Sequence, residues 1–136
     1  YGPTNNDARH RLNLSGIVEL PFGFQISSIL TYRSSLPYSI TTGNDDNNDN
    51  IWTDYPSDYP HRNAARSDFD YFTIDARVSK YFFIKNFSLQ FFAEMFNLTN
   101  RTNFGLPVGR MTSSLFGEPT SASDPRLVQL GLRLNF

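Results

Sequence analysis

Asp45, Asn47, Asp49 and Asp54 are the residues whose types and spacing come nearest to a chemical site. Oxygen-bearing side chains two apart, followed by a carboxylate five further on, approach the ligand order of an EF-hand-type calcium loop, in which hard oxygens surround a hard cation. The run departs from that order in two ways. Asn50 stands where the turn glycine is usual, and Asp54 falls at position ten, where a bidentate glutamate at twelve is the norm. Asn accepts a left-handed backbone better than most residues. Calcium is the one cofactor this run would take, and a solvated acidic loop accounts for the same residues without a cation.

Catalysis has less to work with. His10 and His61 are the two histidines, there is no cysteine, and no Gly-x-Ser-x-Gly elbow or glycine-rich phosphate loop occurs. The chain is expected not to be an enzyme. Twelve Lys and Arg balance thirteen Asp and Glu, leaving a net charge of -1 and no basic stripe for nucleic acid.

The elements that would carry these residues alternate. In Arg126–Phe136, Val128, Leu130, Leu132, Leu134 and Phe136 share one parity, while Leu127, Gln129, Gly131, Arg133 and Asn135 share the other. A strand here has one apolar and one mostly polar face. Similar alternation covers about 10–20, 24–38, 69–82 and 87–98. Short turns at Pro21-Phe22-Gly23 and Ile84-Lys85-Asn86 separate strands within pairs. Stretches of about 43–68 and 99–125 have no period and are long for loops. The expectation is an all-β, antiparallel up-and-down meander of about five long strands.

Short connections alternating with long ones are the loop rule of transmembrane β-barrels in the bacterial outer membrane, whose periplasmic turns are short and extracellular loops long. A mean hydropathy of -0.41 does not oppose this, because lumen-facing polar residues dilute the lipid face. Aromatics near the strand ends, including Phe22, Phe24, Phe82, Phe83 and Phe87 by the short turns, suggest interfacial girdles. Five strands are too few to close such a barrel, and open edges in lipid cost several kcal/mol per unpaired group. Opening on Tyr1, without a secretory leader pattern, the chain is expected to begin partway through a longer protein.

Five pieces carry a family resemblance: Tyr1-Gly-Pro-Thr-Asn-Asn-Asp-Ala-Arg-His-Arg11, Leu20-Pro-Phe-Gly23, Ser35-Leu-Pro-Tyr38, Ala93-Glu-Met-Phe-Asn-Leu-Thr-Asn-Arg-Thr-Asn-Phe104 and Leu130-Gly-Leu-Arg-Leu-Asn-Phe136. In order and spacing they resemble the end of the β-barrel of Oar-like TonB-dependent outer-membrane receptors. The resemblance implies a barrel of roughly 22 strands, of which residues 1–136 would be the last five, around a plug domain. It implies as partners outer-membrane lipid, the remaining strands and plug, and TonB through segments outside this chain. It also implies that Leu130, Leu132, Leu134 and Phe136 form the recognition signal for the barrel-assembly machinery.

Several side chains carry further expectations. Glu19, Asp75, Arg77, Glu94 and Arg133 fall on lumen parity, where opposite charges on adjacent strands can pair. Lys80 shares parity with Val78 and, beside a short turn, can extend its amine to the interface. Asn97-Leu-Thr99 and Asn100-Arg-Thr102 match a glycosylation pattern by chance. Asn103–Met111, apolar for a loop, is expected to cover neighbouring loops, with folding over the barrel mouth or meeting a ligand as the alternatives. The rival architecture is a soluble β-sandwich, such as a calcium-dependent carbohydrate-binding module, burying the same apolar rows under a second sheet; a further rival joins several copies into one barrel.

Overall fold

The computed structural model describes residues 2–85 and 87–136. The elements follow the alternation: β1 (Arg11–Leu20), β2 (Phe24–Arg33), the two-residue β3 (Pro37–Tyr38) and β4 (Ala65–Arg66), β5 (Tyr71–Ile84), β6 (Phe87–Phe96) and β7 (Leu127–Asn135). β1, β2, β5, β6 and β7 form one five-stranded sheet in that order, and β3 pairs with β4 in a second, two-stranded one. The large sheet is open, with β1 and β7 at its edges. The architecture is all-β, and no helix among the described residues is long and apolar enough to cross a membrane.

Register fixes the faces. β5 and β6 run antiparallel from Ile84↔Phe87 to Ala76↔Met95, and β6 and β7 from Ser88↔Asn135 to Phe96↔Leu127. Since residues directly opposite each other project to the same side, Val78, Phe82, Ile84, Phe87, Leu89, Phe91, Met95, Val128, Leu130, Leu132 and Leu134 share one face. Arg77, Ser79, Tyr81, Gln90, Glu94, Gln129 and Arg133 share the other.

Chain contacts divide the molecule into two compact units. One comprises the residues up to Arg11 with Arg33–Tyr71 and Asn103–Ser123, and the other Leu12–Tyr32, Phe72–Thr102 and Asp124–Phe136. The loop-rich unit is held by polar groups. Arg66 meets the Asp7 carboxylate at 2.5 Å and donates to the Asp7 carbonyl at 2.8 Å. The buried Asn63 amide donates to the Pro3 carbonyl and to Asn5 Oδ1, while its backbone N–H donates to Ser39 Oγ. Gly109 lies against Ser39, where a Cβ would come within 1.9 Å of the Ser39 carbonyl oxygen. Thr41 and Gly109 (2.9 Å) and Met111 and Thr41 (2.9 Å) then share backbone hydrogen bonds. Asn103–Met111 thus covers a neighbouring loop.

Strand limits differ from those read in the alternation, and backbone chemistry explains where. The expected 24–38 strand stops at Arg33. Ser34 N–H turns to the His10 carbonyl, Ser35 N–H goes to Asp70 Oδ1, and Pro37 has no N–H to give, so Pro37–Tyr38 pairs instead with Ala65–Arg66. That pairing puts β4 inside the expected 43–68 loop. The expected 87–98 strand ends at Phe96, because Asn97 takes a left-handed φ of 49°. The expected 69–82 strand runs from Tyr71 to Ile84, and the expected 126–136 strand from Leu127 to Asn135. Pro21-Phe22-Gly23 forms a tight turn with left-handed φ at Phe22 and Gly23. In the other expected turn Lys85 has φ 46°, and Asn86 lies outside the described residues.

Candidate lipid-facing wall and lumen network

The apolar face is exposed. Leu130, Leu132, Leu134 and Phe136 are 79%, 58%, 49% and 99% accessible, so no second sheet seals them as the sandwich architecture requires. Among the described residues the buried apolar side chains are Ile40, Ala65 and the prolines Pro37 and Pro107, whereas Asn63, Ser67, Ser79, Gln90, Asn97 and Asn103 are buried polar ones. Apolar groups outside and polar groups inside reverse the distribution of a water-soluble domain. A continuous apolar face of this kind stays out of water only against another apolar medium.

Dimensions agree with hydrocarbon as that medium. Nine residues of β7 rise about 30 Å, and at a barrel tilt of about 40° reach about 23 Å along the normal, against an apolar band of about 25 Å in such barrels. Cations bracket the face along β5. The Arg101 guanidinium lies 5.9 Å from the Phe72 ring centre at the long-loop end, and the Lys80 amine 4.4 Å and 5.2 Å from the Phe24 and Phe82 rings toward the short-turn end. Eight residues separate Phe72 from Lys80, about 20 Å along the normal at the same tilt.

The opposite face carries a connected polar network. Arg77 Nη1 meets Glu94 Oε1 at 3.0 Å, directly across the β5–β6 pair. Arg77 Nε donates to Ser79 Oγ (3.2 Å), which also accepts from Gln90 Nε2 (3.2 Å). Gln90 Nε2 donates as well to the Tyr81 hydroxyl (2.8 Å), and that hydroxyl donates to Gln25 Oε1 on β2 (3.5 Å). Ser79 and Gln90 are 1% and 4% exposed, so these bonds satisfy groups that would be costly to bury alone. The guanidinium of Arg77 also lies 4.0 Å from the Phe92 ring centre. Of the expected lumen charges, Arg77 and Glu94 pair, and Asp75 Oδ1 accepts the Asn97 N–H at 2.9 Å. Arg133 stands opposite Gln90, and Glu19 lines a cleft of about 370 Å³ with Gln25, Tyr81 and Ser88.

Asn97 and Asn100 organise the exit from β6. The Asn97 amide donates to the carbonyls of Arg101 (2.9 Å) and Asp124 (3.3 Å), its Oδ1 accepts the Arg101 N–H (3.2 Å), and its own N–H goes to Asp75. Asn100 Oδ1 accepts the Arg126 N–H at 3.0 Å, tying the same turn to the entry of β7. The pattern Asn97-x-Thr99 points to this site, as its asparagine is buried and serves as a turn anchor.

In the acidic loop the candidate calcium ligands cap their own backbone. Asp45 accepts the N–H groups of Asp49 and Asn50, Asp49 that of Ile51, Asn47 Oδ1 that of Asp49, and Asp54 Oδ2 those of Asp46 (2.6 Å) and Asn47 (3.1 Å). Asn48 and Asn50 take left-handed φ values of 60° and 65°. Among the described residues no three His, Cys, Asp or Glu side chains group as a metal site.

An antiparallel sheet with one lipid-ready face and one networked polar face defines a wall segment of a transmembrane β-barrel. Residues 60–129, just over half of the chain, match the family model described as Outer membrane beta barrel domain, and the chain belongs to that family. Membership carries an outer-membrane location in bacteria. Comparison with curated proteins and with solved structures gave no match.

Proposed function

We propose that this chain is the closing part of the barrel of an Oar-like TonB-dependent receptor, contributing five wall strands and two long external loops to a transporter that also has a plug. The observation that carries the proposal is the β5–β6–β7 register, which sorts apolar and polar side chains onto opposite faces. The sequence resemblance narrows the barrel to this class, and the alternation of short and long connections sets the long loops outside. In this reading the role is transport and not catalysis. The lumen network of Arg77, Glu94, Ser79 and Gln90 stiffens the wall against which a plug rests. Leu130, Leu132, Leu134 and Phe136 serve twice, as lipid contacts and as the signal read by the barrel-assembly machinery.

The test uses the intact protein, purified in detergent, and the purified periplasmic domain of TonB. A receptor of this class forms a complex whose stability depends on ligand binding outside. A barrel that inserts normally yet never binds that domain would leave the wall assignment standing and remove the transporter class.

A further inference from the structure

The rim of the wall is stepped at its short-turn end. Gly23, closing the β1–β2 turn, lies so near Tyr81 that an added Cβ would come within 2.7 Å of the Tyr81 carbonyl oxygen. That turn therefore ends level with Tyr81, whereas β5 continues to Ile84 and β6 begins at Phe87. The β5–β6 hairpin extends past its neighbour by three residues, about 10 Å of strand.

Lys80 sits in this step. Among the described residues of β5, β6 and β7 it is the one charged side chain on the apolar face. Its amine donates to the Phe22 carbonyl, lies over the Phe24 and Phe82 rings, and belongs to neither of the ion pairs found among the described residues. An ammonium has three N–H groups, so the Phe22 bond leaves donors for an anion. From the amine toward mid-strand, Phe91, Val78 and Leu130 continue the exposed apolar surface, and Phe22 is almost wholly exposed at the turn. A molecule seated here must bring an anion to the amine and lay hydrocarbon along the row that runs from it toward mid-strand. A free phosphate supplies only the first.

We infer that the step beside Lys80 is a seat for one phospholipid, its phosphate on the Lys80 amine and its acyl chains running toward mid-strand along Phe91, Val78 and Leu130; this rests on the lipid-facing reading of the apolar face. An anionic headgroup is preferred, because a zwitterionic one brings its own ammonium to compete with Lys80.

The test is native mass spectrometry of the intact protein released from phosphatidylethanolamine nanodiscs containing a minor share of phosphatidylglycerol. Lys80→Gln is expected to lower phosphatidylglycerol retention about fivefold. Lys80→Arg should keep it, as should Lys85→Gln at the hairpin tip. Unchanged retention in Lys80→Gln, or an equal loss in Lys85→Gln, overturns the seat. Heat-modifiable gel migration checks that each variant is folded. A spin label at Leu132→Cys, in an otherwise cysteine-free background, separates the two readings: an oxygen-accessible label with unchanged lipid retention removes the seat alone, while a label shielded from lipid removes the wall and the seat together.

Discussion

The Phe92 ring lies across Gly131 of the neighbouring strand, so closely that a Cβ on Gly131 would come within 2.1 Å of the ring edge. The two residues are direct partners in the β6–β7 register. Glycine weakens a strand by leaving its backbone uncovered, and a cross-strand aromatic restores the cover. Gly131→Val should therefore destabilise the β6–β7 pair by about 1 to 3 kcal/mol through overpacking. Much less should be lost in a Phe92→Ala background, a coupling that urea unfolding of the intact protein in bilayers would measure.

Asn97 combines a left-handed backbone with a buried side chain that bonds Arg101 and Asp124, while its own N–H goes to Asp75. Asn97→Ala keeps the N–H bond to Asp75 but strands the carbonyls of Arg101 and Asp124, and it puts alanine, which tolerates the left-handed region less well than asparagine, at φ 49°. A loss of about 2 to 4 kcal/mol is expected from the unpaired groups and the strain together. Asn97→Gly, which relieves only the strain, should recover part of it. Heat-modifiable migration and thermal melting of the two variants would show the order.

These two sites mark what alternation could and could not disclose. Period-two patterning in 126–136 and 87–98 gave the faces of β6 and β7, and the parity of Arg77 against Val78 on one strand and of Glu94 against Met95 on the next anticipated the ion pair. Ile17 and Ile29 sit on polar parity in the sequence, where the pattern is imperfect, and both are exposed. The break after Arg33 was hidden, because it depends on His10, Asp70 and Ala65, residues far away in sequence. Asn97 looked like a chance glycosylation match because its partners, Asp75 and Asp124, are brought to it only by the folded chain.

Tyr38 titrates above its ordinary value, chiefly because burial penalises the phenolate, with Tyr59 and Asp68 adding repulsion. The unfolded chain loses this proton first as pH rises, so the folded state holds more protons above pH 10.0 and its stability falls there. Below that pH the group contributes no slope. Alkaline unfolding of the loop-rich unit, followed by tyrosinate absorbance, should shift to higher pH in Tyr38→Phe.

The acidic loop is capped by its own carboxylates, and this should fix its shape without a cation. Limited proteolysis between Gly43 and Pro60 is expected to run at the same rate with millimolar calcium and with chelator. Asp54→Ala, which frees the N–H groups of Asp46 and Asn47, should speed it in both. Calcium-dependent protection lost in Asp45→Ala would instead establish a cation site at Asp45, Asn47, Asp49 and Asp54.

The face assignment of β7 is open to direct measurement in the intact protein. Spin labels placed singly from Leu127 to Asn135 in a lipid bilayer should alternate, with Val128, Leu130, Leu132 and Leu134 accessible to oxygen and Leu127, Gln129, Gly131, Arg133 and Asn135 shielded from lipid. A profile without a two-residue period, or one in which Leu130 and Leu132 meet water or packed protein, would contradict the wall.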